Sequence, residues 1–440
     1  MGSGNSEDCL FLDVFAPSDA TPDSKLPVYF YVQGGGLQAA TAHQNATGLI
    51  LAAEKKLVVV TITYRTGAFG FLASKEIQKD ASLNNGFKDQ RRALEWTKEH
   101  ISKFGGDPDH VTLGGQSAGA GSVVQHLVAY GGRDDKLFHS VLMQSASVPP
   151  TRDVASSQFQ YDNLVGRTSC KGSEDTLGCL RKLSTEDIMK GAINEPFPDG
   201  AGGKPVFFYN GVLDGDFIPD IPLKLFEEGK FIKVPTVLGV DSNEGTGFAP
   251  RKVKTKKESV DFLKNTYPAL TQEQLDKLDE LYLLGSQEPA PYWWHVSRAY
   301  GRLRYICPSL QISDLMKKNG HDKVWNYRYD VLDPTEAEKQ NMVGHGSEQP
   351  AVWGPKYTGA PKSYYHENAD IVPVVQGYWT SFMRDFDPNS KKAEGAPTWE
   401  TWTGDNQLIF QTGKTRMIPI INEHKDQCKY LSSIAISIGQ

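Results

Sequence analysis

The sequence predicts an α/β fold, a mostly parallel central sheet covered by helices on both faces. Three observations carry this. Short, β-branched apolar runs alternate with helix-patterned stretches along the 440 residues. Most runs are continuously apolar, as in strands buried on both faces. One run, residues 110–114, leads through Gly115-Gln116-Ser117-Ala118-Gly119 into a helix-like stretch, residues 120–130. That strand–turn–helix context is what a G-x-S-x-G nucleophile elbow requires.

The elements follow in chain order. Residues 9–15, Leu26–Val32 and 57–64 read as strands, being rich in Val, Ile, Phe and Tyr. Residues 87–104 read as a helix, with Ala93, Leu94, Trp96, Ile101 and Phe104 near helical spacing, stopped by Gly105-Gly106-Asp107-Pro108. Residues 110–114, 139–144, 234–240 and 323–329 supply further strands. Residues 245–315 read differently, as a mainly helical excursion that walls a pocket. It holds the basic run Arg251–Lys257, expected as a solvated loop, and the aromatic patch Tyr292-Trp293-Trp294, expected as ordinary packing. No repeat or linker divides the chain, so residues 1–440 read as one domain with helical insertions.

Composition narrows the function. Hydrophobic residues make up 39% and charged residues 23%, ordinary for a globular chain. A net charge of −6 leaves no footprint for nucleic acid or an anionic membrane surface. No run approaches the length of a membrane span. The N-terminus has neither the basic nor the apolar region of a secretory signal. The cysteines, Cys9, Cys170, Cys179, Cys307 and Cys428, form no C-x-x-C pair, so zinc and thioredoxin-like readings find no support.

A serine hydroxyl is a weak nucleophile at neutral pH and needs an imidazole base, itself oriented by a carboxylate. With Ser117 as nucleophile, the α/β-hydrolase chain order of serine, acid, histidine places the acid after a later strand. Asp241 and Glu244 both qualify by position after 234–240. Of the later histidines, His321 precedes its strand, His295 lies in the helical excursion, and His366 and His424 lie in polar, surface-like segments. His345, between Gly344 and Gly346 in a loop beyond the last strand, is the favoured base. The tetrahedral intermediate needs N–H donors. Gly34-Gly35-Gly36 follows the strand Leu26–Val32 at once. Gly35, Gly36 and Ala118 are therefore the expected oxyanion donors. This chemistry calls for no metal and no organic cofactor.

These motifs together resemble the type-B carboxylesterase family, which includes cholinesterases and fungal lipases. Ser6-Glu7-Asp8-Cys9-Leu10-Phe11-Leu12-Asp13-Val14 is similar to its S-E-D-C-L-x-L-N signature. Gly105–Pro108 and the elbow follow in order, Asp241–Thr246 resembles the acid loop, and Gly344-His345-Gly346 resembles the histidine loop. The resemblance implies an α/β-hydrolase fold and a Ser117–His345–Glu244 triad, picking Glu244 over Asp241. It also implies Cys170–Cys179 and Cys307–Cys428 disulfides, hence an oxidising compartment and secretion. The sequon Asn45-Ala46-Thr47 is a glycosylation acceptor in keeping with that.

Three departures stand out. Gln116 replaces the usual Glu before the nucleophile, and Gln33 precedes the glycines where His or Tyr is common. Family members also begin several dozen residues before the S-E-D-C signature. The expectation is thus of an N-terminally shortened chain without the disulfide-closed loop, leaving Cys9 without its partner and residues 9–15 near a sheet edge. The expected activity is hydrolysis of small-molecule carboxylic esters through an acyl-enzyme. The rival expectations are a non-catalytic binding protein on the same fold and an inactive short form. Oligomeric state is left open.

Overall fold

A computed structural model describes residues 6–39, 44–284 and 292–440. Eleven strands occur among the described residues. They are β1 (Leu12–Phe15), β2 (Leu26–Val32), β3 (Val58–Ile62), β4 (Gly106–Gln116), β5 (Ser140–Gln144), β6 (Arg152–Asp153), β7 (Val212–Leu213), β8 (Thr236–Asp241), β9 (Val324–Tyr329), β10 (Asn406–Phe410) and β11 (Arg416–Pro419). Nine form one sheet in the order β1-β3-β2-β4-β5-β8-β9-β10-β11. The sheet is parallel from β3 to β10, and antiparallel only where β1 meets β3 and β11 meets β10. β6 and β7 form a separate parallel pair. All seven expected strands are present.

Side-chain alternation explains why the inner strands read as unbroken apolar runs. Val28, Phe30 and Val32 of β2 enter the core on one face, while Tyr29 and Tyr31 enter the core on the other. β10 and β11 escaped the sequence reading. β10 is a five-residue run opening on Asn406 and Gln407, and β11 is an exposed edge strand. β1 lies at the opposite edge, as expected for residues 9–15.

Helices cover both faces. The expected helix 87–104 is the helix Asn85–His100 followed by a 3-10 turn, Ile101–Phe104. Gly105 ends it at φ 82°, and β4 starts on the next residue, so the expected stop is a one-residue turn. The described part of residues 245–315 is mainly helical as expected, including Lys256–Thr266, Gln272–Asp279, Tyr292–Gly301 and Cys307–Lys318, and 285–291 lie outside the described residues. The basic run is only partly a loop. Thr255 caps the helix Lys256–Thr266 in a capping box with Glu258, and Lys257 pairs with Asp261 one turn on. Disulfides join Cys170 to Cys179 and Cys307 to Cys428, and Cys9 is free.

Candidate active site

The position of Ser117 follows from the turn between β4 and the helix Ala118–Gly132. Ser117 has φ 60° and ψ −124°, a sparsely populated conformation for a residue with a side chain. Its surroundings hold it there. Its N–H donates to Gln144 O (2.9 Å), and its carbonyl accepts from Gly121 N (2.9 Å) and Ser147 N (3.2 Å). The helix then passes so close to β2 that a Cβ on Gly119 would run into Val32 O. Ser117 is 6% exposed.

Glu244 opens a 3-10 turn just after β8 and is fully buried. Its Oε2 accepts from His345 Nδ1, and its Oε1 accepts from Asp241 N at 2.8 Å. With Nδ1 donating, Nε2 presents its lone pair. The His345 ring packs against Tyr305 (centroids 4.6 Å apart) and Phe248 (5.1 Å). In this structure Nε2 meets the Gln116 amide nitrogen at 3.2 Å, and the Ser117 hydroxyl makes no hydrogen bond to the ring. His345 and Glu244 are thus brought together directly, while Ser117 adjoins them through the residue that precedes it.

The glycine loop lies against the nucleophile. A Cβ on Gly34 would stand 2.9 Å from Ser117 Cβ. Gly36 adopts φ 65°, and a Cβ there would strike the Phe207 ring. Gly36 and Ala118 line one cleft beside Ser147.

Asp241, the other acid candidate, serves the histidine loop. Its Oδ2 accepts from Gly346 N (2.7 Å) and Ser347 N (3.2 Å). It is fully buried beside Glu348, which is 1% exposed. Burial, then the charges of Glu348 and Glu244, push the Asp241 carboxyl well above the usual carboxylate range. Burial and those neighbouring charges thus favour the neutral acid at Asp241. Glu348 in turn accepts from Gln144 Nε2 at 3.1 Å. The sequence reading missed the roles of Glu348 and Gln144. The only signal for Glu348 was its place three residues after His345.

The remaining histidines lie elsewhere. His424 is 8% exposed, which corrects its expected surface position, and it lines a cavity with Arg298, Arg302 and Arg328. Trp293 packs in the core beneath Arg251, whereas Trp294 lines that same cavity. Asn45 is exposed, with its Oδ1 accepting from Thr47 N at 3.0 Å.

A model of the carboxylesterase family matches residues 1–430. The chain belongs to the carboxylesterase family. Among curated relatives, Lipase 2 of Geotrichum candidum is 39% identical over 56% of this chain. That match spans less than half of the relative, 46% of its length. Secreted triacylglycerol lipase LIP1 of Gibberella zeae is 30% identical over 98% of this chain and 75% of its own. The crystal structure of Aspergillus niger EstA superposes with a TM-score of 0.95 at 39% identity, covering 99% of this carboxylesterase and 85% of EstA. The family's α/β-hydrolase fold is thus shared along the described sheet. The lipase and carboxylesterase relatives are carboxylic ester hydrolases. Secreted relatives and two disulfides point to the secretory pathway.

Proposed function

We propose that this family member hydrolyses carboxylic esters through Ser117, His345 and Glu244, with Gly35, Gly36 and Ala118 as oxyanion donors. The observation that carries the reading is the Glu244–His345 pair, its acid fully buried, next to the turn that holds Ser117 at φ 60°. Such hydrogen bonds are often long in the free enzyme and tighten when substrate binds. In the productive state the Gln116 amide yields Nε2 to the serine. Ser117 Oγ attacks the ester carbonyl while Nε2 takes its proton, and the carbonyl electrons move onto the oxyanion. The intermediate collapses, the C–O bond breaks, and the leaving alkoxide takes the proton from Nε2. Water attacks the acyl-enzyme by the same route, releasing the acid and restoring the Ser117 hydroxyl. Glu244 orients the ring and stabilises it while protonated. We place the enzyme outside the cell, with Asn45 as a glycan acceptor.

A fluorophosphonate probe tests the mechanism. Wild type labels stoichiometrically, and Ser117→Ala does not label while keeping the wild-type melting temperature. Ester turnover that survives in Ser117→Ala overturns it. A well-folded wild type that neither labels nor hydrolyses any ester turns the reading toward a binding protein.

A further inference from the structure

The cleft beside Ser117 holds a charge that simple ester hydrolysis does not use. Arg304 lies in a single π-helical turn, Arg302–Ile306, a helix irregularity frequent at functional sites. It is 3% exposed. Its Nε donates to Ser147 Oγ at 2.7 Å, its guanidinium carbon sits 5.2 Å from the Phe207 ring centroid, and the phenols of Tyr300, Tyr267 and Tyr305 lie close to its charge. Among the described residues no carboxylate pairs with it. Burying a guanidinium without a counter-charge is costly, and such a group calls for an explanation.

The surroundings supply one. Arg304 lines the cleft that Gly36 and Ala118 also line. The link to the nucleophile is short, because Ser147, which accepts from Arg304, donates its own N–H to Ser117 O. Gln125 and Asn210 complete the polar wall. Their buried amide oxygens have no partner, and a half-turn of either amide offers N–H donors instead. A guanidinium fork and two amides at the end of a cleft match a carboxylate in shape and charge.

We propose that this cleft is an anion-recognising subsite, with Arg304 as its specificity residue, for esters that carry a carboxylate on a short chain. The chemistry fits a half-ester of a short dicarboxylic acid, or a short acyl ester of a hydroxy acid. The inference rests on the ester-hydrolase reading above and narrows it.

The test uses the full chain and matched substrate pairs. One arm compares the 4-methylumbelliferyl esters of succinate and butyrate, which differ in charge on the acyl side. The other compares 4-acetoxybenzoate with 4-acetoxybenzamide, which differ on the alcohol side. The charged member is expected to be favoured in kcat/KM by at least about tenfold in one arm, the effect of one charge-assisted hydrogen bond. The arm that shows it identifies the side. Arg304→Met should bring that ratio to one or below, and Arg304→Lys should restore part of it. Thermal melts show whether each variant is folded, and the wild-type ratios stand without any variant. Neutral esters turned over with no charge preference in either arm overturn the subsite and leave the hydrolase standing. No turnover of any ester overturns the hydrolase.

Discussion

Asp241 shows how one side chain can be read for the wrong job. It follows β8 as an acid should, and its N–H even bonds to Glu244, yet its carboxyl caps the loop that carries His345. The oxygen that Asp241 offers this loop predicts an asymmetry between two substitutions. Asp241→Asn keeps an oxygen for the Gly346 and Ser347 N–H groups. Its kcat/KM should stay within about threefold of wild type. Asp241→Ala leaves two part-buried N–H groups without their acceptor and should lose about tenfold or more. Steady-state kinetics on one ester decides it, and an equal loss in both variants refutes the role of that oxygen in holding the loop. At this scale Ser117, His345 and the glycines were legible because their flanking residues constrain backbone geometry. Arg304 and Glu348 were not, since nothing in a linear pattern says that a charge will be buried.

The helical excursion shows the same division between elements. Its helices were readable from amphipathic spacing, but not the π-turn Arg302–Ile306, whose extra residue leaves no mark on composition. The turn leads directly into Cys307, bonded to Cys428 in the C-terminal helix Asn422–Ile434. The bridged residues are 121 apart, against 9 for Cys170 and Cys179. Closing a longer loop removes more entropy from the unfolded chain. Replacing Cys307 and Cys428 together by Ser should therefore cost about 2–5 kcal/mol, roughly 2 kcal/mol more than the same change at Cys170 and Cys179. Denaturant unfolding measures both, and a larger loss at the short loop counts against the chain-entropy account.

Across the whole molecule, stability should depend on pH through two buried imidazoles. Burial, with help from Arg91, lowers His126 to about 3. Burial and the charges of Arg302, Arg328 and Arg298 lower His424 to about 3. Unfolded, each binds its proton near 6.5. Between pH 6.5 and 3 the unfolded chain holds protons that the folded one refuses, so stability falls as pH falls through that window. At pH 5 each histidine costs on the order of 2 kcal/mol relative to pH 7. Asp241 works the other way, because its raised carboxyl favours the folded state as pH drops toward its unfolded value, and this offsets part of the loss. The melting temperature should therefore fall from pH 7 to 5, and less steeply in His126→Gln; an unchanged slope would refute the contribution of His126. The sheet itself was legible wherever two covered faces made a strand apolar throughout. It was illegible at β10 and β11, where polar first residues and one open face dilute the signal. One residue of that sheet ties Ser117 to the histidine loop. Gln144 at the tip of β5 holds the Ser117 N–H with its carbonyl and Glu348 with its amide, and so sets the elbow and the histidine loop from a single point. Loops around the site can therefore change length or composition while Ser117 and His345 stay in register, which makes the pocket walls, and not β5, the place to redesign specificity.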